Sequence, residues 1–543
     1  MKTLRLSALL TLFAMALSAS AQDRGFFRIH PFTNDTASMN TGVNLNMAET
    51  QDGGFVVAIS NMGGGLDPAW GRIFRLSEEG DMLHSVPFGD GEGYCGFSIF
   101  HHPDSPTSFI GMGVYTTLYQ TTPYDQYTST PWFISFDDNL EITDQHVCEW
   151  PDEIQNPIEV SPGYDLSSDG TLFAAFTLFL PSDPIPRYPH RFFAEYSLEG
   201  ETERFVVDTT TLGLRSRSIE DVFEFPDSGL KGMLHEFTDG PENYQGLYRL
   251  SKNYEVSLVN QYHHVYSDTI HNLQPNYWDE YHINLLEAFS TNILALDEST
   301  LLIPMIGDEL IQRIHLDLNT TFFFRDNTPV LLKTDTEGNV LQVGIVSRMN
   351  DTIDAIRRPV ALAEPDETGH RCFYLCHYSR DEFYLEYPNN FTVTKYTDDL
   401  EVVWRKTFSL PETNMIPHGV VGTADGGCFI AGSVARYIGP YNADINGWFA
   451  LKLGADGTVA TDEITVKDDV FFYPNPVKDV LHLCTPPDVQ PRQIELYDMQ
   501  GRLVRSQGSA FETVDLSQLP TGTYTLRVTM KDGQVFSDKV VKE

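Results

Sequence analysis

Apolar positions along this chain alternate with polar ones in short runs broken by Gly, Pro, Asp and Asn, a period of two that predicts strands rather than helices. One pattern recurs. A turn opens an apolar strand at Asp52-Gly-Gly-Phe-Val-Val-Ala and again, nearly unchanged, at Asp425-Gly-Gly-Cys-Phe-Ile-Ala-Gly. A looser copy starts at Asp169, and weaker ones start near Asp104, Asp227, Asp297 and Asp366. These seven anchors are 52, 65, 58, 70, 69 and 59 residues apart. Each is followed by an apolar strand, a polar turn and a second apolar strand. The copies run from Phe74-Arg-Leu-Ser-Glu-Glu-Gly in unit 1 to Ala450-Leu-Lys-Leu-Gly-Ala-Asp-Gly in unit 7. Gly, Asn or Asp at each tip is expected to supply the backbone angles of a tight hairpin.

A unit of about 60 residues with four short strands has the size of a propeller blade. Residues 22–460 are therefore expected to form a seven-bladed β-propeller. The segment Gly25-Phe-Phe-Arg-Ile-His-Pro-Phe precedes the first anchor and has no hairpin of its own. It is predicted to complete the seventh blade over residues 25–32, because an open ring leaves strand edges exposed. Two β-sandwiches in series are the structural alternative. The units resemble those of secreted bacterial propellers with an Asp-Gly-Gly-aromatic signature, from which units 2, 4, 5 and 6 depart.

Composition agrees with a core-forming, strand-rich chain. It has 543 residues, 41% hydrophobic, with 35 Phe, 25 Tyr, 40 Gly and 31 Pro. The net charge is −40. Such a surface repels nucleic acid and anionic lipid, so no nucleic-acid partner is expected. It is compatible with a structural divalent cation such as calcium, although no motif calls for one, and no cofactor is predicted. Six cysteines without a Cys-x-x-Cys pair do not make a disulfide scaffold and read mostly as small buried hydrophobes. Cys372 and Cys376 would lie about 13 Å apart on one face of a strand, too far to bond.

At the N-terminus Lys2 and Arg5 precede an apolar run from Leu6 to Leu17, and Ala19-Ser20-Ala21 offers small residues for cleavage. Residues 1–21 are read as a signal peptide, with Gln22 the mature start. No transmembrane segment is expected, since no later stretch approaches ~20 apolar residues.

Residues 469–543 carry 8 basic and 10 acidic residues, so nearly all the negative charge lies in the body. Residues 461–468 read as a linker. The alternation from Asp469 onward, with turn signals at short intervals, predicts a small Ig-like β-sandwich. Its motifs are Tyr473-Pro474-Asn475-Pro476, a hairpin Leu496-Tyr-Asp-Met-Gln-Gly501-Arg-Leu-Val504, and Leu519-Pro-Thr-Gly522-Thr-Tyr524. In order and spacing these residues closely resemble the type A C-terminal sorting domain of type IX secretion. The resemblance implies export across the outer membrane, recognition by the type IX translocon, and processing by a surface sortase, often with attachment to lipopolysaccharide. It implies nothing about the body.

Candidate chemistry in the body is sparse. There is no Gly-x-Ser-x-Gly, His-Glu-x-x-His or phosphate loop. Asp137-Asp138 and Asp398-Asp399 fall at hairpin tips and read as turn formers before they read as glycosidase pairs. Two stretches exceed the four-strand unit: Tyr262 to Glu287, and Gly307 to Thr328 with Phe322-Phe-Phe. Insertions between blade strands project from a propeller face, where ligands bind. The aromatic and imidazole side chains of His263, His264, Tyr277, Trp278, Tyr281 and His282 suit stacking on a sugar or docking on a peptide. The histidines with Asp279 or Glu280 are also chemically able to ligate a metal, but a metal site is not predicted. The expectation is a monomeric surface-binding protein with a glycan or protein ligand and no catalytic residues. The alternative is a glycan-directed hydrolase or lyase with its site in the central funnel.

Overall fold

The computed structural model describes residues 25–31, 43–61, 70–89, 94–120, 126–151, 158–179, 190–208, 215–239, 242–262, 264–271, 277–287, 292–315, 320–346, 352–354, 359–365, 369–380, 390–408, 413–439, 442–459, 471–473, 477, 480–484, 491–509, 511, 513–531 and 535–542. The expected signal peptide, the linker 461–468, His263 and Pro474 to Pro476 lie outside the described residues. Within them every regular element is a β-strand, as the period of two requires.

Unit 1 shows how a repeat folds. Strands Val43–Glu49, Phe55–Asn61, Trp70–Leu76 and Met82–Pro87 form one antiparallel sheet in sequence order. The second strand is apolar at successive positions, and Phe55, Val56, Val57, Ala58 and Ile59 are all buried. A strand covered on both faces needs such a run. The outer strand Met82–Pro87 is partly exposed, with Leu83 and His84 facing solvent. Asp52 lies in the turn that opens the second strand, and a four-residue turn ending in Gly80 joins the third to the fourth.

Units 2, 3 and 4 follow the same order, and the sheets of units 5 and 6 add strands to it. The sheets of units 2 and 3 are joined by one pairing, Ile158 with Thr128. Unit 7 contributes three strands, Thr413–Gly422, Cys428–Gly439 and Asn442–Leu453. Its outer strand is Phe26–Pro31, which pairs antiparallel from Phe26 with Lys452 to Pro31 with Gly447.

One expectation about the hairpin tips is corrected. In units 1, 3, 5 and 7 the left-handed position is a glycine: Gly80, Gly200, Gly338 and Gly457. In units 2, 4 and 6 it is Leu140, Tyr254 and Leu400, with φ of 62°, 61° and 59°, and not the Asn or Asp before each. Burial offsets the backbone cost. Leu140 and Tyr254 lie inside the protein, and Leu400 packs against the core between units 5 and 6.

The core sits between sheets rather than within them. Phe97, Phe109 and Trp132 of unit 2 meet Val56 and Ile73 of unit 1. Similar clusters join units 2 and 3, 3 and 4, 4 and 5, 5 and 6, and 6 and 7. A further cluster joins the last unit to the first: Phe26, Phe429 and Trp448 with Phe55 and Phe74. There Phe55 and Phe429 stack with ring centroids 3.9 Å apart.

The C-terminal residues form two antiparallel sheets. One is Phe471–Tyr473, Val480–Cys484 and Thr513–Asp515; the other is Leu503–Gln507, Pro491–Asp498, Gly522–Met530 and Val535–Lys542. Leu481, Leu483 and Val514 of the first share a core with Ile494, Leu496, Leu526 and Val528 of the second.

Candidate functional site

The two predicted insertions, one before the fifth anchor and one inside unit 5, become one structure. Strand Thr300–His315 pairs along its whole length with Thr320–Asp335, from Thr300 with Asp335 to His315 with Thr320. Its first residues also pair with Leu294–Ala295. From Ile306 onward its free edge is taken by Tyr277–Glu287, which in turn pairs with His264–His271. The sheet of unit 5 is thereby extended by a four-stranded antiparallel layer built from residues 264–287 and 306–329.

The register places the candidate residues. Tyr281 stands opposite Asp268 and Ile311, whose own partner is Phe324. His282 stands opposite Ser267 and Leu310, and Trp278 opposite His271 and Ile314. Tyr277 pairs with His315, and His264 pairs with Asn284. Tyr277, Trp278, Tyr281 and His282 thus lie on one strand, with His264 on its neighbour. Tyr262, which opens the first insertion, ends strand Val256–Tyr262; it is buried, and its hydroxyl donates to the Gly338 carbonyl at 3.0 Å.

The Asp-Gly-Gly signature has a different role. Arg75, in the third strand of unit 1, is almost wholly buried and donates to Asp52 Oδ1 at 2.6 Å and to the Leu76 carbonyl. In unit 7 Lys452 does the same with Asp425, at 2.7 and 2.8 Å, and with the Leu453 carbonyl. A Cβ on Gly54 would collide with the Arg75 guanidinium and the Leu76 carbonyl, and one on Gly427 with the Leu453 carbonyl and the Lys452 ammonium. The second glycine admits both the cation and the carbonyl it bonds. Hydrogen bonds from Thr50, the Gly54 amide and Arg75 hold the Asp52 carboxyl below its ordinary pKa, against a desolvation penalty. Burial raises the Asp425 carboxyl, but hydrogen bonds from Lys452 and Thr423 outweigh it and the net shift is downward.

The same third-strand position carries Arg249, Lys333 and Lys395 in units 4, 5 and 6, and in these units and unit 1 the cation reaches into the next unit. Arg75 Nε donates to the Asp138 carbonyl at 2.9 Å, Arg249 to Thr336 at 2.9 Å, Lys333 to Asp398 at 2.6 Å and Lys395 to Ala455 at 3.4 Å. Each acceptor is the second residue of the following hairpin turn. Unit 3 has Glu195 here, and Arg204, directly opposite it in register, supplies the donor to Lys252 instead, at 2.9 Å. The basic residue at this offset was visible in five of the seven hairpins; its partner, in another unit, was not.

Asp137-Asp138 and Asp398-Asp399 serve as turn residues. Asp137 accepts from the amides of Asn139 and Glu141, and the Asp138 and Asp398 carbonyls receive the inter-unit cations. Cys148, Cys372, Cys376 and Cys428 are buried, and burial holds the Cys376 and Cys428 thiols far above their ordinary pKa. Among the described residues no three His, Cys, Asp or Glu side chains stand close enough to hold a metal ion, and no helix is long and apolar enough to cross a membrane.

In the C-terminal domain the hairpin motif is explained residue by residue. Asp498 accepts from the Gln500 and Arg502 amides, each at 3.0 Å, and pairs with the Arg502 guanidinium at 2.6 Å. Gly501 takes a φ of 74° between them. Gly522 opens the strand in which Tyr524 lies buried, with its hydroxyl donating to the Pro520 carbonyl at 2.6 Å. Tyr473 pairs with His482.

Comparison with known proteins separates the two parts of the chain. Over the body, the β-propeller domain of the trilobed protease from Pyrococcus furiosus is similar at 8% identity and a TM-score of 0.37, covering 80% of this chain and 99% of that one. The GH32 β-fructofuranosidase BmSUC1 of Bombyx mori is similar at 10% identity and a TM-score of 0.31, covering 79% and 91%. A DUF4221 family member from Bacteroides vulgatus gives 9% and 0.29, covering 68% and 95%. No curated protein sequence matches the chain. Residues 471–543, in contrast, match the family described as a secretion system C-terminal sorting domain. With its hairpin, its Gly-x-Tyr strand and its two-sheet core in place, this segment is a sorting domain of type IX secretion, and the chain that bears it is delivered to the cell surface or the extracellular space.

Proposed function

We propose that the body is a closed seven-bladed ring acting as a surface-binding protein, with the layer on unit 5 as its ligand face. Closure is supported by the aromatic cluster between the last and first units and by the N-terminal strand that completes the last sheet. The binding role rests on one observation: two separate insertions pair into a single layer that brings Tyr277, Trp278, Tyr281 and His282 onto neighbouring register positions. Aromatic faces with interspersed Asp and Arg suit a glycan or a peptide. Export of the body on a sorting domain gives such a face access to external ligands, and the type IX translocon and a surface sortase are the partners of the C-terminal domain.

The test is a glycan and protein array probed with the full chain. Binding is expected, and Trp278→Ala or Tyr281→Ala should weaken it by tenfold or more, in line with aromatic hot spots worth ~2 kcal/mol. Undiminished binding by both variants would remove the layer from the binding role.

A further inference from the structure

The interface between units 2 and 3 departs from the others in one respect. Where units 1, 4, 5, 6 and 7 carry an Arg or Lys in the third strand, buried or half-buried, unit 2 has Ser135. In unit 3 the cation comes from the opposite position on the fourth strand; unit 2 has Asp144 there, paired with Ser135 in register. Where units 1 and 7 have the glycine that admits the cation, unit 2 has Ser108. Both donor positions have thus become a hydroxyl and a carboxylate.

A surface cleft of about 250 Å³ opens at this place. It is lined by Ser105, Ser108, Ser135, Thr143 and Asp144 of unit 2 and, from unit 3, by Glu199 with its neighbour Leu198. Leu198 is the second residue of its hairpin turn, the position whose carbonyl receives the cation at the sister interfaces. The hydroxyls are held near one another, Ser105 to Ser108 at 2.8 Å and Ser135 to Thr143 at 2.7 Å, and Asp144 Oδ2 lies 3.2 Å from His146 Nδ1. Phe109 and Phe133 form apolar wall. An engineered cavity of ~150 Å³ admits benzene, so the cleft has room for a guanidinium and much of its stem.

We propose that this cleft binds an arginine or lysine side chain presented by a protein partner, seated where the internal cation sits in the sister units. The lining offers acceptors and negative charge where a donor is missing, and a body of such negative charge attracts basic partners at long range. The proposal is independent of the unit 5 layer and uses none of its residues.

The experiment is calorimetric titration of the full chain with the peptide acetyl-Gly-Arg-Gly-amide, and with the same peptide carrying citrulline, which keeps the shape and loses the charge. The arginine peptide is expected to bind at least about tenfold more tightly, the size of one charge-assisted hydrogen bond. Ser108→Gly/Ser135→Arg, which rebuilds the internal cation, should abolish binding while melting no lower than the wild type. Asp144→Asn should weaken the arginine peptide and leave the citrulline peptide unchanged. Equal affinity for both peptides, no binding at millimolar concentration, or full binding by a folded Ser108→Gly/Ser135→Arg variant would each overturn the proposal.

Discussion

Arg75 and Asp52 illustrate how unequally the two ends of one ion pair contribute. The Arg75 side chain is 4% exposed and Asp52 is 67% exposed. Removing the cation leaves the Asp138 and Leu76 carbonyls without their donor inside the protein, whereas removing the carboxylate exposes little that water cannot solvate. Arg75→Ala is therefore expected to cost about 2–3 kcal/mol and Asp52→Asn under ~1 kcal/mol, read from denaturant midpoints. The pH dependence has a defined sign. Folded Asp52 and Asp425 titrate below their unfolded values, so their contribution is complete above the unfolded carboxylate pKa of about 4 and is lost as pH falls through the lower folded pKa. Asp425→Asn should flatten acid denaturation in that window. Leu140 gives a second residue-scale test. Glycine there would relieve the left-handed backbone but remove a buried side chain, so Leu140→Gly should destabilise by about 1–3 kcal/mol net. At this scale the Asp-Gly-Gly signature was legible, and its chemistry was not, because Gly54 has meaning only beside a guanidinium 21 residues later in the chain.

Among the elements, Phe26–Pro31 has the largest consequence for its length. It carries Phe26, packed against the stacked pair Phe55 and Phe429 at 5.9 and 6.1 Å, and His30, tilted against Trp448 at 4.4 Å. Phe26→Ala should cost about 3–5 kcal/mol and raise the hydrogen-exchange rate of residues 26–31 and of their partners 447–452 together. Burial, assisted by Arg28, lowers the pKa of His30 to about 3. An unfolded histidine binds its proton near pH 6.5, so the strand is fully stable above that pH and loses stability as pH falls from about 6.5 toward 3. Protection of this strand, corrected for the intrinsic exchange rate at each pH, should fall between pH 7 and 5, and His30→Phe should suppress that fall. The strand was legible from the sequence because an unmatched apolar run and a sheet lacking its outer strand call for one another. The layer on unit 5 was legible only as two separate insertions, since nothing local to either states that Tyr277–Glu287 will pair with Thr300–His315.

For the whole molecule, the apolar clusters lie between units and the signal for delivery lies in a domain with its own core. A chain ending at residue 460 is expected to fold with an unchanged melting temperature, measured by calorimetry, and to fail to reach the surface, measured by fractionation. The sequence by itself determined the strand period, the repeat, the N-terminal strand that joins the last sheet and the sorting domain. Each of these is written in residues near one another or in copies that can be compared, and a period of two or a turn glycine acts over a few bonds. Tertiary structure decided where the third-strand cations reach, that two insertions pair into one layer, and that Ser135 and Asp144 stand where sister units carry a cation. These depend on which turn of one unit the next unit meets, a distance in space that pairing and packing set and that spacing along the chain does not encode.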